Sequence, residues 1–102
     1  MKKYTLYLGL NDKDTKRQKI ATLEAYKITT NLLTSYTEGA TIFEANGIYK
    51  HDDGTITIEK TLKIELLFVE KTTVLSIIEE LKRIFNQESI ILQEDVISSE
   101  MI

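Results

Sequence analysis

The sequence contains no cysteine and no proline among its 102 residues. Without cysteine, the chain can form no disulfide, no thiolate nucleophile and no cysteine-ligated zinc site. A single histidine leaves no second imidazole to complete a zinc site. Neither a glycine-rich phosphate loop nor a serine in a glycine-rich elbow is present. These absences predict a protein that is not an enzyme and that uses no metal and no cofactor.

The chain also lacks a strong charge of either sign and a long apolar run. A net charge of -3 gives no electrostatic reason to expect a nucleic-acid partner. No segment approaches the roughly 20 apolar residues of a membrane helix. The start, Met1-Lys2-Lys3 followed by YTLYLGL, is interpreted as a strand, because its apolar run is too short for a signal peptide. We expect one domain, residues 1–102, located in the cytoplasm.

The longest patterned stretch, Gly39 to Glu70, is typical of one long β-hairpin. Asp53-Gly54 has the chemistry of its turn. The second arm alternates apolar and polar residues from Ile56 to Phe68, which predicts a central strand with its apolar side against the core. Asn46-Gly47 inside the first arm indicates either a β-bulge or a close approach of another group to the backbone.

Two amphipathic segments flank the hairpin. The first runs from about Thr15 to Ser35 without glycine or proline, and its apolar residues recur every three or four positions. Asp12 or Asp14 is a candidate cap for this helix. A second helix is expected behind a cap at Thr72 or Thr73.

Alternating residues predict two further strands, over Tyr4 to Leu10 and over Ser89 to Ile97. The order of elements is then β-α-β-β-α-β. Two right-handed crossovers interleaved around one hairpin produce the ferredoxin-like fold. We therefore predict an α+β sandwich with a four-stranded antiparallel sheet, two helices on one face and a long central β-hairpin.

The face of the sheet away from the helices would carry the polar side of the hairpin's second arm, namely Thr57, Glu59, Thr61, Lys63 and Glu65. A single-stranded RNA would need several aromatic rings there on which its bases could stack. The first strand adds only Tyr7, so we expect no direct nucleic-acid binding on this face. A solvated face or a polar dimer contact is expected instead. Uncovered strand edges also predict a homodimer.

Two groups of side chains are candidates for partner contact. One group, near the predicted start of the first helix, comprises Lys13, Lys16, Arg17 and Lys19. A solvated face explains these charges most simply, and contact with an anionic partner is the functional alternative. The other group, beside the hairpin turn, comprises Tyr49, Lys50 and His51. The neighbouring Asp52 and Asp53 add metal-ligand chemistry to His51, but adjacent turn residues cannot all face one ion, and turn geometry explains them.

Four segments together resemble an uncharacterised bacterial domain family of about this length. They are LYLGL at 6–10, GATIFEANGIY at 39–49, DGTI at 53–56 and FNQESIIL at 85–92. The resemblance covers most of the chain and implies the same ferredoxin-like fold. Because that family has no established activity, the resemblance leaves the function open.

In size, acidity and style of composition, the chain also resembles small proteins of phages, plasmids and conjugative elements. Some of these are type II anti-CRISPR proteins that act on Cas9 or its guide-RNA complex. The leading hypothesis from the sequence is therefore a non-catalytic, protein-binding inhibitor from a mobile element, with Cas9 as its partner. The alternative is a small-ligand-binding or sensory domain that forms oligomers. A third option is a degenerate enzyme of the monooxygenase-like dimeric sandwiches.

Overall fold

The computed structural model describes residues 1–102 as one sheet and two helices. In chain order the elements are β1 (Lys2–Gly9), α1 (Thr22–Tyr36), β2 (Thr41–Lys50), β3 (Ile56–Leu66), α2 (Lys71–Ile84) and β4 (Ile91–Val96). The strands lie in the order β2-β3-β1-β4, and every neighbouring pair is antiparallel. Two crossovers interleaved around the β2–β3 hairpin give this order. The predicted ferredoxin-like α+β fold is confirmed.

Both helices pack on one face of the sheet. On β1 and β3 this face carries six buried residues, namely Tyr4, Leu6, Leu8, Leu62, Ile64 and Leu66. The helices cover them with Ala25, Leu33, Val74, Ile77, Ile78 and Leu81. Period two in the strands and a period near 3.6 in the helices place these residues on facing surfaces. The single core that results divides the sheet into a helix-covered face and an open face.

The distal end of the β2–β3 hairpin projects beyond the helices. Ile48, Ile56 and Ile58 belong to the helix-side face, yet they are 69%, 63% and 66% exposed. The molecule is correspondingly elongated, 48 Å in one direction against 25 and 22 Å in the others. The prediction of a buried apolar side along the whole second arm is therefore wrong at this end, because no helix covers it.

The hairpin keeps one continuous register from Thr41 opposite Glu65 to Lys50 opposite Ile56, so there is no bulge at Gly47. Of the two predicted explanations for this glycine, the close approach is correct. A Cβ at Gly47 would lie 3.0 Å from the hydroxyl oxygen of a tyrosine two residues later in the strand. Glycine at this position leaves room for that hydroxyl on the open face.

Residues 10–21 form a loop, and α1 begins at Thr22 rather than near Thr15. The buried Asp12 organises this loop. Its carboxylate accepts hydrogen bonds from the backbone N–H groups of Asp14 and Thr15 and from the side-chain amide of Asn86. The predicted helix cap at Asp12 or Asp14 is wrong, because the Asp12 carboxylate caps the turn of the loop itself.

We expect stability to fall at acid pH in a way that depends on Asp12. Hydrogen bonds, above all from the backbone of Thr15 and the side chain of Asn86, lower the pKa of Asp12 from its ordinary value of 3.8. A carboxyl whose folded-state pKa is depressed stabilises the fold above its unfolded pKa, and this contribution is lost as the pH falls below about 4. The variant Asp12→Asn should therefore have a lower Tm at neutral pH and a smaller loss of Tm on acidification. The exposed Asp52→Asn is the control, and a wild-type pH profile for Asp12→Asn would contradict this role.

The helices are 15 and 14 residues long, and neither is long and apolar enough to cross a membrane. The second helix begins at Lys71, with Glu70 as its N-cap residue and no side-chain hydrogen bond there. The predicted cap at Thr72 or Thr73 is wrong, because both threonines already lie within the helix. A basic last turn, with Lys82 and Arg83, complements the negative end of the helix dipole.

Candidate active site

The open face of the sheet carries three aromatic rings. The polar side of β3, considered alone, had indicated a polar surface. Phe43 on β2 and Tyr7 on β1 both lie opposite Lys63, and Tyr49 on β2 lies opposite Thr57. Residues paired directly across strands share a face of the sheet. The additional rings come from the edge strand β2, whose face assignment depends on the hairpin register. The open face is therefore richer in apolar surface than the sequence suggested.

Glu59 supplies a carboxylate on this face, beside the end of β1. Its side chain lies over Gly9 of β1, where a Cβ would be 2.6 Å from the carboxylate atoms. The backbone N–H of Asn11 donates a hydrogen bond of 2.7 Å to Oε2 of Glu59. Hydrogen bonds to an ionised acceptor are stronger than neutral ones. The glycine thus provides the space for the carboxylate, and a backbone donor fixes its direction.

Tyr49 brings a hydroxyl group to the same place. Its ring leans back along β2 over Gly47, which lies directly opposite Glu59. Partial burial and the negative charge of Glu59 raise the pKa of Tyr49 above its ordinary value of 10.0. The hydroxyl therefore keeps its proton at neutral pH, on the same face of the sheet as the Glu59 carboxylate. We refer to these two residues as the Glu59–Tyr49 pair.

A low floor separates the Glu59–Tyr49 pair from a row of larger side chains. The floor consists of Ala45, Thr61 and Gly9, which lie in register across three strands. The next row on this face consists of Phe43, Lys63, Tyr7 and Ile91. The Nζ atom of Lys63 lies 5.4 Å from the centre of the Phe43 ring, a cation–π distance. Rings and a cation therefore bound the floor on the side away from the carboxylate.

This arrangement has the chemistry of a proton-transfer site. The carboxylate of Glu59 can accept a proton, and the hydroxyl of Tyr49 can orient it. The same carboxylate offers a negative charge to a cationic ligand, and the aromatic rings offer flat surfaces on which a base can stack. No three His, Cys, Asp or Glu side chains are grouped so that they could hold a metal ion.

The first group of predicted contact residues lies in the loop before α1 and not at the start of a helix. All four side chains, Lys13, Lys16, Arg17 and Lys19, are exposed. Lys16 has a φ of 61° and donates its backbone N–H to the carbonyl of Asp12, so it belongs to a turn. The Nζ atom of Lys19 lies 3.8 Å from the carboxylate of Asp12. A contact between these residues and an anionic partner stays a prediction.

The second group lies at the distal end of the hairpin, but on both of its faces. Tyr49 belongs to the open face, and the ring of His51 forms a hydrogen bond of 2.7 Å with the hydroxyl of Thr57, the residue opposite Tyr49. Lys50 belongs to the helix-side face, since it lies opposite Ile56. The structure therefore places Tyr49 on the open face, joins His51 to Thr57 of the same face, and places Lys50 on the other face.

Glu59, Gly9 and Asn11 were not predicted as site residues. A signal for Glu59 was available, because counting back from the Asp53-Gly54 turn places Gly47 directly opposite it. A glycine facing a carboxylate in mid-strand indicates that a side chain crosses the backbone there. Asn11 offered no such signal, because it acts through its backbone N–H, which every residue except proline has.

A groove of about 710 Å³ lies at the other end of the hairpin, between the end of α1, the start of β2 and the β3–α2 connection. Its lining includes Tyr36 and Phe68, and Phe68 has a φ of 58°. The volume is in the range of ligand pockets. However, the Glu65 carboxylate in the groove is already within 3.6 Å of Lys3 and 3.9 Å of Lys63. The Glu59–Tyr49 pair is the stronger candidate, because its carboxylate is free of such ion pairs.

The model of one protein family matches residues 3–100, nearly the whole chain. The chain belongs to the DUF3574 family. That family is described as a protein of unknown function, so the predicted resemblance to an uncharacterised domain family is confirmed. No curated protein matches this DUF3574 chain.

Two solved structures of a phage SAM lyase share the fold. The lyase in complex with S-methyl-5'-thioadenosine matches with a TM-score of 0.69 and 20% identity, over 92% of this chain and 79% of the lyase chain. The lyase in its apo state matches with a TM-score of 0.65 and 19% identity, over 92% and 78% of the two chains. At this identity the likeness establishes the fold.

This comparison contradicts the predictions of a non-enzyme and of a non-catalytic inhibitor, because two solved structures that share the fold are those of an enzyme. The anti-CRISPR likeness receives no support from it. The prediction considered catalytic groups only as motifs along the chain. The Glu59–Tyr49 pair is a candidate that the hairpin register assembles across two strands, and no local motif marks it.

Proposed function

We propose that this DUF3574 protein is a lyase that cleaves a sulfonium nucleoside of the SAM type at the Glu59–Tyr49 pair. The observation that carries the proposal is the Glu59 carboxylate, which is held by the Asn11 N–H at 2.7 Å on the open face of the sheet. The substrate class comes from the phage SAM lyase, whose fold this chain shares. The choice of Glu59 and Tyr49 comes from the geometry of this chain and not from the lyase.

The charge of the Glu59–Tyr49 pair suits such a substrate. The sulfur of SAM (S-adenosylmethionine) carries a permanent positive charge, which the Glu59 carboxylate would attract. Partial burial strengthens this attraction, because charges interact more strongly in a less polar medium than in water. The thioether product is neutral, so it would be held less tightly and could leave.

The reaction needs no co-reactant. Glu59 takes a proton from the carbon next to the one bonded to sulfur, and a carbon–carbon double bond forms. The bond between carbon and sulfur breaks, and its electron pair passes to the sulfur. The products are S-methyl-5'-thioadenosine and an unsaturated four-carbon amino acid, and the proton on Glu59 returns to water. A positioned base of this kind contributes about 10²–10⁴-fold to a rate.

The remainder of the open face suits the nucleoside part of the substrate. Ala45 and Thr61 of the floor have small side chains, whereas the space over Gly9 holds the Glu59 carboxylate. Phe43 and Tyr7 offer rings for the adenine base, and one such stacking contact is worth about 1–3 kcal/mol. Lys63, in the same row and 3.9 Å from Glu65, would share its positive charge with the carboxylate of the amino-acid part.

Two earlier predictions fit this proposal. SAM is made inside cells, which supports the predicted cytoplasmic location. The exposed stripe of Ile48, Ile56 and Ile58 supports self-association, since an apolar surface of this kind is usually covered by a partner. Sedimentation of the wild-type chain beside an Ile58→Lys variant would test whether the stripe joins copies into a homodimer.

The test is incubation of the purified protein with SAM, followed by chromatography and mass spectrometry of both product fragments. We expect S-methyl-5'-thioadenosine to form faster than in protein-free buffer, together with the unsaturated amino acid. Water-derived homoserine would indicate hydrolysis and overturn the lyase assignment. A lactone would indicate attack by the substrate's own carboxylate and remove the role of Glu59 as a base.

Binding must be measured separately from turnover. Calorimetric titration with S-methyl-5'-thioadenosine provides this, because it needs no chemical step. Binding without consumption of SAM would identify a nucleoside-binding protein and contradict the lyase proposal. Absence of both binding and consumption would contradict the substrate class as well.

A further inference from the structure

The geometry points to Gln87 as a positioning residue that fixes the direction of the Glu59 carboxylate through the backbone of Asn11. The catalytic consequence of this inference rests on the proposed function, whereas the structural consequence does not. Gln87 belongs to the FNQESIIL segment and does not touch Glu59. Gln87 comes shortly after the end of α2, whereas Glu59 lies on β3. The loop that begins at Leu10 contacts both residues.

The first step is the contact between Glu59 and Asn11. The Asn11 N–H donates a hydrogen bond of 2.7 Å to Oε2 of Glu59, the one hydrogen bond between this side chain and a backbone group. A glutamate side chain has three rotatable bonds, so without this donor the carboxylate could leave its place over Gly9. The direction of the carboxylate therefore depends on the orientation of the backbone at Asn11.

The second step is the contact between Asn11 and Gln87. The side-chain amide of Gln87 donates a hydrogen bond of 2.7 Å from Nε2 to the carbonyl oxygen of Asn11, in a partly buried setting. The N–H and the carbonyl of Asn11 are thus engaged at the same time, one by Glu59 and the other by Gln87. With both sides held, rotation of the backbone at this residue is restricted.

The third step is the anchoring of Gln87 itself. Its backbone N–H donates to the carbonyl of Lys82 at 2.9 Å, and its Nε2 also reaches the carbonyl of Phe85 at 3.2 Å. The preceding residue, Asn86, binds the carboxylates of Asp12 and Asp14 at 2.9 Å each. The residues after α2 therefore form several hydrogen bonds with the loop, and among them only the Gln87 amide donates to the carbonyl of Asn11.

The variant Gln87→Met tests the inference, because methionine keeps the length of glutamine and removes the donor. The main measurement is NMR of the Asn11 amide during an acid titration. In the wild type this resonance should move as Glu59 is protonated, since the amide donates to that carboxylate. In Gln87→Met we expect the movement to shrink by about half or more, because the amide points less directly at the carboxylate.

The kinetic measurement is the split between kcat and KM for SAM. We expect Gln87→Met to lower kcat by about tenfold with little change in KM, since a misplacement of 1 Å can cost on the order of 10²-fold. The matched control is Gln18→Met, because the backbone of Gln18 lies beside Asn11 in an antiparallel bridge while its side-chain amide does not bind Asn11. The Gln18 amide also makes two hydrogen bonds, to the carbonyl of Ile20 and the hydroxyl of Thr22, but none to Asn11.

An unchanged titration of the Asn11 amide in Gln87→Met would overturn the inference, and so would an equal change in Gln18→Met. If the wild type binds no SAM, but its Asn11 amide moves more on acidification than that of Gln87→Met, only the proposed function is contradicted. If Gln87→Met does not fold, Gln87→Glu gives the same measurement, because it replaces the donor by an acceptor of equal size. If the Asn11 amide of Gln87→Glu moves on acidification as far as that of the wild type, the inference is likewise overturned.

Discussion

Replacing Glu59 with glutamine should lower the rate of SAM cleavage by about 10²–10⁴-fold, the range expected for loss of a general base. The amide is almost the same size as the carboxylate, so it can still lie over Gly9 and accept the hydrogen bond from Asn11. It has no basic oxygen of comparable strength and no negative charge for a sulfonium ion. The loss should therefore appear in kcat as well as in the affinity for SAM, measured by product formation and by calorimetry.

The same variant has a structural signature that does not depend on activity. The Glu59 charge contributes to the raised pKa of Tyr49, so in Glu59→Gln this pKa should move back toward its ordinary value of 10.0. Tyrosine-ring NMR during a base titration would measure the shift. The control is Glu44→Gln, a carboxylate of the same hairpin that lies on the opposite face, 3.7 Å from Lys60. Full activity in Glu59→Gln would remove the carboxylate from the mechanism, whatever the tyrosine shows.

The fold was predictable because each local pattern agreed with the global arrangement. The alternation from Tyr4 to Leu10, the Asp53-Gly54 turn and the strong period of Ile56 to Phe68 all indicated strands of one antiparallel sheet. The pattern could not show how much of the hairpin is covered by the helices. Ile58 and Ile64 are alike in sequence, but Ile64 is fully buried and Ile58 is 66% exposed. The difference depends on where α1 and α2 lie, which is a property of the tertiary structure.

The loop before α1 was not predictable for a related reason. Nothing between Thr15 and Ala21 breaks a helix, so propensity alone favoured an early start. The loop is held instead by long-range hydrogen bonds, from Asn86 to Asp12 across 74 positions and from Gln87 to Asn11 across 76 positions. A local pattern carries no information about such partners. The basic residues of this loop were consequently assigned to a helix that begins only at Thr22.

The candidate site was partly predictable, since Tyr49 was among the predicted contact residues. Its position beside Glu59 was not, because the two arms of the hairpin were considered separately and not as paired rows. In the paired rows, Gly47 faces Glu59 and Ala45 faces Thr61. Two strand glycines, Gly47 within β2 and Gly9 at the end of β1, then stand out as the positions that make room for the side chains of Tyr49 and Glu59. This interpretation leads directly to a test of Gly9.

Adding a single methyl group in Gly9→Ala should lower the rate of SAM cleavage by about 10²-fold and change Tm little. The new Cβ would lie 2.6 Å from the carboxylate atoms of Glu59, closer than non-bonded atoms approach. The obstructing group is the end of a flexible side chain, so the carboxylate should swing away and the sheet should remain. A displacement of about 1 Å is enough for a loss of this size. Product formation and thermal unfolding, measured on the same preparation, separate the two effects.

Gly39→Ala is the matched control, because a Cβ at Gly39 meets no atom within 4 Å. It makes the same chemical change in the same chain and should keep both activity and Tm. The Asn11 amide reports the displacement itself, since a Glu59 that has moved no longer accepts its hydrogen bond. Retained activity in Gly9→Ala, with the Asn11 resonance unchanged, would show that the added methyl group does not displace the Glu59 carboxylate and would contradict the close approach over Gly9. A shifted resonance with retained activity would show that the carboxylate moves but that the chemistry does not need it there.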